Sequence, residues 1–176
     1  MMNDREGGFA LTNTDKTIFT DREYHEDIEL SLVEVDGAPL EITKLVHDIL
    51  YLNWDVPYEP TEPWYSGSLG GRFVVARKID GTLLGVCRLM PVQDETPNSV
   101  QIRQVVVIAN LKGMGIGKKV MLYAEDIARS EGVEEIFLWS RRPAYGFYEG
   151  LDYIYSTDPW VSELTKLEYR TMTKRL

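Results

Sequence analysis

The chain has 176 residues, 44% hydrophobic and 27% charged, with 28 acids against 19 bases and one cysteine, Cys87. A chain of that length buries roughly 70% of its unfolded surface in a single domain, so it requires no disulfide or metal staple, and one thiol forms no internal disulfide. The net charge of −9 argues against a surface for nucleic acid, no stretch approaches the roughly 20 apolar residues of a membrane span, and the N-terminus lacks the order of a secretory signal, so the expectation is a cytoplasmic protein with no nucleic-acid or membrane partner.

Residues 1–26 are polar, without helical or strand periodicity, and read as a tail or arm ahead of one domain over 27–176. Ile28, Leu30 and Leu32 alternate with polar neighbours as in a half-buried strand. Pro39 suits a first helical turn, and Ile42, Leu45, Val46, Ile49 and Leu50 recur at helical spacing, which predicts a helix over 39–52. From 53 to 71 prolines, aromatics and acids break all periodicity, as in a long loop. Two β-rich runs, 72–79 and 82–90, flank Asp80-Gly81 as a hairpin. After a loop over 91–98 come a strand over 100–108 and a helix over 115–131, whose Ile116, Val120, Tyr123, Ala124, Ile127 and Ala128 form one stripe ended by Gly132. A strand over 135–139, a short helix over 143–150 and closing strands over 153–156 and 164–174 complete a mixed α/β order.

The chemistry concentrates between Gln101 and Lys119, where a strand runs into Gly113, Gly115 and Gly117 and then directly into a helix. Backbone N–H groups from Lys112 through Gly113, Met114, Gly115, Ile116, Gly117 and Lys118 then converge at a helix N-terminus with little side chain in the way, a geometry that binds phosphate. A dinucleotide fingerprint needs G-x-G-x-x-G and an acid after the next strand, whereas this chain has G-x-G-x-G and Ser140-Arg141-Arg142. A phosphate-binding P-loop needs a serine or threonine where Lys119 stands and a glycine further upstream.

The third reading is a pyrophosphate cradle for coenzyme A. The stretch resembles the central motif of the GNAT superfamily of acyl-CoA-dependent N-acyltransferases, [QR]-x-x-G-x-[GA], with Lys112, Gly115 and Gly117 at its three positions. Ala144-Tyr145-Gly146-Phe147-Tyr148-Glu149-Gly150-Leu151-Asp152-Tyr153 is similar to the family's A-x-x-F-Y-E-x-x-G-F block. Three positions depart from the pattern: Lys112 replaces glutamine or arginine, Pro143 replaces a frequent asparagine, and Asp152 replaces the turn glycine.

The resemblance implies a GNAT-like fold, with a mainly antiparallel central sheet of about seven strands flanked by helices. It also implies direct transfer of an acetyl group, in a ternary complex, from acetyl-CoA as co-substrate to a primary amine of a small molecule or peptide. By position it assigns polarisation of the acyl carbonyl to backbone N–H groups among Val105, Val106 and Val107, and proton donation to the leaving sulfur to Tyr148. The position where many relatives carry a basic glutamate is Gln101, which is no base; Asp55, Glu59, Glu62 or a water held by Gln101 and Arg103 are the substitutes.

Trp54, Tyr58, Glu59 and Trp64 belong to the 53–71 loop, which is either a substrate wall or a lid, and the chain's acidity leans toward a cationic acceptor. His25 and His47 have no partner at metal-ligand spacing, so no metal is expected and both histidines are expected at the surface. The alternative to an enzyme is a catalytically inactive CoA-binding sensor or interaction domain, with the missing glutamate in its favour. An exposed last strand would admit a homodimer.

Overall fold

The apolar runs assemble into one sheet with helices on both faces. The computed structural model describes residues 11–12, 16–19, 27–51, 70–92, 98–163 and 165–176. In chain order the elements are β1 (Leu11–Thr12), β2 (Lys16–Phe19), β3 (Ile28–Glu34), α1 (Leu40–Leu50), β4 (Arg72–Lys78), β5 (Leu83–Pro91), β6 (Ser99–Val107), α2 (Ile116–Ser130), β7 (Glu135–Arg141), α3 (Tyr145–Glu149), β8 (Ile154–Tyr155), β9 (Trp160–Val161) and β10 (Glu168–Arg175). The sheet order is β1-β2-β3-β4-β5-β6-β7-β10-β8, with β9 also on β10. Of these pairings only β6 with β7 is parallel.

Central strands buried on both sides read as continuous apolar runs, and β4 and β5 show how. Val74, Ala76, Leu84 and Cys87 pack with Ile116, Val120 and Ala124 of α2, while Phe73, Val75 and Val86 pack with Ile42 and Val46 of α1. Helix α2 stops at Gly132, whose φ of +79° suits a residue without a side-chain β-carbon. There the N–H of Val133 donates to the Ala128 carbonyl and that of Gly132 to Arg129, satisfying the last carbonyls.

Three expectations are corrected, on the hairpin, on His47 and on the last strand, and the arm adds two short strands. The β4–β5 hairpin has a three-residue loop, Ile79-Asp80-Gly81, rather than two: the N–H of Gly81 donates to Lys78, the N–H of Lys78 donates to Thr82, and Gly81 takes φ +90°. Within the polar arm, β1 and β2 extend the sheet beside β3, because backbone pairing on an open edge requires no apolar alternation. His47 is buried, on the border of the inner stripe of α1, with Nδ1 3.2 Å from an Asp48 carboxylate oxygen. The last strand is no exposed edge, since β10 is held by β7 on one side and by β8 and β9 on the other.

Candidate active site

The site begins with a break in the sheet. Strand β6 pairs with β7 only from Ser99 opposite Glu135 to Ile102 opposite Leu138, whereas β7 stays paired with β10 from Glu135 to Arg141. The cause lies on the other side of β6. Its register with β5 shifts between Val86 and Arg88, and Gln104 takes φ +53°. A bulge of this kind bends its strand and strengthens the twist, and it carries residues 103–107 away from β7. Past Ile102 the side of β6 facing β7 has no ladder partner.

At the end of β6 a 3-10 turn over Ala109–Leu111 leads to Lys112 and the glycines. Gly113 and Gly115 hold φ of +84° and +82°, and Gly115 caps α2. The first bond inside α2 runs from the N–H of Lys119 to the Gly115 carbonyl, so the N–H groups of Ile116, Gly117 and Lys118 precede any intrahelical acceptor. A β-carbon on Gly117 would stand 3.3 Å from the Phe147 ring and 3.5 Å from Val107. The turn therefore fits tightly between β6 and α3, with its first-turn donors at the positive end of the helix dipole. Such a turn presents free backbone donors to an anion such as a phosphate group.

On the other side of the split, Arg142–Ala144 forms a 3-10 turn that feeds α3. Tyr148 is buried against Phe147 and Tyr153, with ring centroids 5.0 and 6.0 Å away. Its carbonyl accepts the N–H groups of Leu151 and Tyr153, and Asp152 takes φ +66°, so an aspartate does fill the turn where a glycine was the family pattern. Burial raises the Tyr148 phenol above its ordinary pKa; the Cys87 thiol adds to this and the Arg141 guanidinium opposes it. The hydroxyl therefore stays protonated at physiological pH.

Between these walls lies a cleft of about 490 Å³, lined by Tyr51, Arg88, Arg103, Gln104, Val105, Trp139, Arg141, Tyr148, Trp160 and Tyr169, among others. Arg88 and Arg103 are cross-strand partners on β5 and β6. Arg88 is 1% exposed and donates through Nε and Nη2 to the Gly70 carbonyl at 3.2 and 2.6 Å. Arg103 lies over the Trp139 ring, 4.4 Å from its centroid, and burial lowers its pKa.

The residues singled out from the sequence fall into four groups. Tyr148, Val105 and Arg103 line the cleft. Val107 packs beside Gly117 and Val106 is buried on the α1 side. The glycine loop lies at the end of the β6 strand, outside the cleft lining, and so does Gln101, which is 8% exposed with its Nε2 unpartnered. Trp54, Tyr58, Glu59 and Trp64, like Asp55 and Glu62, lie outside the described residues. Sequence reasoning missed Tyr51, Arg88, Trp139, Trp160 and Tyr169. The one local signal among them is Arg88, a charge inside the apolar run Leu83–Pro91.

No group of three or more metal-ligating side chains occurs among the described residues, and none of their helices is long and apolar enough to cross a membrane. The chain is similar in fold to ElaA of Escherichia coli, with a TM-score of 0.68 and 16% identity over 84% of this chain and 99% of that one. It is similar also to an acyl-CoA N-acyltransferase of Pseudomonas aeruginosa, with a TM-score of 0.67 and 16% identity over 84% and 99%. The spermidine/spermine N-acetyltransferase SpeG of Vibrio cholerae aligns with a TM-score of 0.60 and 15% identity over 83% and 92%. The sequence model of the acetyltransferase (GNAT) family matches residues 40–153, which span the bulged strand, the glycine loop and the Tyr148 block, and the chain belongs to that family of acyl-CoA-dependent transferases.

Proposed function

We propose that this protein transfers an acetyl group from acetyl-CoA to the primary amine of a small molecule or peptide, by direct attack in a ternary complex. The observation that carries the reading is that the unpaired side of β6 and Tyr148 line one cleft at the β6–β7 split while the glycine loop packs beside them, against Val107 and Phe147. Residues 112–118 would hold the pyrophosphate through backbone N–H groups. Acetyl-CoA supplies an acyl group activated as a thioester. Backbone N–H groups among Val105–Val107 polarise the acyl carbonyl, and a preorganised donor of this type contributes about 3 kcal/mol. The Tyr148 hydroxyl holds the proton that the leaving sulfur requires. Gln101 supplies no base, so the acceptor amine reaches the cleft neutral or gives its proton to water or to one of the acids Asp55, Glu59 and Glu62.

Calorimetric titration with acetyl-CoA, with ATP and NAD as controls, followed by a thiol-release assay across amines, tests the reading. Selective acetyl-CoA binding with amine-dependent thiol release is the expected result. Binding with no release from any amine would favour a sensor, and no binding at all would overturn the cradle assignment.

A further inference from the structure

The cleft is cationic in a strongly acidic protein. Arg88, Arg103 and Arg141 all line it, and no aspartate, glutamate or histidine does so among the described residues, although the whole chain carries a net charge of −9. Two of these arginines face one another across β5 and β6, a placement in which like charges repel. Burial and the nearness of Arg103 make charge on Arg88 costly, with Tyr51 and Asp36 offsetting part of this, and burial makes charge on Arg103 costly, with Tyr51 opposing. Like charges gathered in a sheet interior are costly, and an anionic ligand would offset that cost.

The arrangement is also specific about the anion. Arg103 is held by its stacking on Trp139, and among the described residues its N–H donors meet no acceptor. Those donors lie in the guanidinium plane and form a fork that matches a carboxylate bidentately. Arg88 is fixed by the Gly70 carbonyl and adds its field. Tyr51, Tyr169, Trp139 and Trp160 complete the wall, which suits an apolar or aromatic portion beside the charge.

Resting on the transfer reading above, we infer that the acceptor is an amine that carries a carboxylate, an amino acid or a short peptide-like molecule, anchored by Arg103 with Arg88 behind it. This is opposite to the cationic acceptor that overall charge had favoured, because local lining and not net charge decides which ion enters a cleft. The same guanidinium groups penalise an ammonium ion close to them, which helps the acceptor amine attack in its neutral form.

The test separates anion recognition from catalysis. The N-acetyl derivatives of phenylalanine, methionine and glutamate, their carboxamides and N1-acetylspermidine are titrated into the protein by calorimetry, alongside acetylation assays of the parent amines. The expected result is binding of at least one carboxylate at least tenfold tighter than its carboxamide, with N1-acetylspermidine weakest, and a loss of tenfold or more in Arg103→Gln. Arg103→Lys should recover only part of that loss, since it restores charge but not the fork, and both variants should keep the wild-type affinity for acetyl-CoA. Equal affinity for acid and amide, no binding of any carboxylate, an unaltered Arg103→Gln variant or a preference for spermidine would overturn the inference. Failure to bind acetyl-CoA while carboxylates still bind through Arg103 would overturn the transfer reading and leave the anion site standing.

Discussion

The two sides of the β6–β7 split present opposite kinds of surface, one of backbone and one of side chains. Toward α2 the glycine loop offers backbone N–H groups, and its chemistry comes from one unbroken stretch, Lys112–Lys118. Toward α1 the cleft is built from side chains drawn from at least five separate segments, Tyr51, Arg88, Arg103, Trp139 and Trp160 among them. A site made of backbone is written locally and is hard to alter without a change of conformation. A site made of side chains depends on register and can be rewritten by one substitution. The first kind suits a shared cofactor and the second a particular acceptor.

The largest effect should come from breaking the backbone side. Gly117→Glu puts a carboxylate in the first turn of α2, where it favours the helix by about 0.3–1 kcal/mol but repels a pyrophosphate. The nearest atoms to its β-carbon belong to the partly exposed Phe147 ring and to Val107, and Phe147 can shift by a few tenths of an ångström. Calorimetry should show acetyl-CoA affinity falling at least 100-fold, about 2.7 kcal/mol, with the melting temperature kept. Retained affinity would remove the cradle from the site.

Next comes Tyr148→Phe, which leaves the packing against Phe147 and Tyr153 in place and removes one hydroxyl. Turnover should drop by about 100-fold while the dissociation constant for acetyl-CoA changes less than twofold. Since burial raises the phenol, Tyr148 stays protonated as pH rises, so the wild-type rate should show no alkaline fall from this group up to about pH 10. A descending limb between pH 8 and 10 that is absent in Tyr148→Phe would contradict the raised phenol.

How much of this was legible beforehand follows from the same contrast. The glycine loop, the Tyr148 block and the turn at Asp152 were readable because each is contiguous and each demands particular residue types at fixed spacing. The facing of Arg88 and Arg103 was not, because it depends on a bulge at Gln104 in a strand whose residues carry no glycine or proline to mark it. His47 was misjudged for a related reason: it sits one residue past the apolar stripe of α1, and only the packing of that helix on the sheet decides whether the border is covered. Gln101 stands at the motif position of the family's glutamate, yet it is buried two residues before Arg103, where β6 is still paired with β7, and does not line the cleft.

Smaller effects sharpen the contrast through stability. If the Arg88–Arg103 pairing is retained for recognition, Arg103→Met should relieve repulsion and raise stability by up to about 1 kcal/mol, two to four degrees for a chain this size. A lower melting temperature would mean that Arg103 serves the fold. Far from the cleft, Arg72 holds Glu131 through two short hydrogen bonds of 2.5 and 2.6 Å, which join β4 to the end of α2. Both groups are partly solvated, so Glu131→Gln should cost less than about 1 kcal/mol at neutral pH. The bonds to Arg72 hold the Glu131 carboxyl below its usual pKa. Its contribution is therefore present above the ordinary carboxylate range, near 4.3, and is lost as pH falls through the depressed value. Denaturation curves of the two proteins should converge in acid.

The split also gives β6 a double character. Through Ile102 it is an interior strand, paired on both sides; from Arg103 onward its side toward β7 has no ladder partner, and an open strand edge of that kind invites another chain to pair and aggregate. An inward-pointing charge is one way in which natural sheets guard such an edge, and the first residue past the last β6–β7 pair is an arginine clamped on a tryptophan from the opposite wall. Arg103 thus places a charge at the point where the ladder opens, which works against a further strand pairing with the open half of β6.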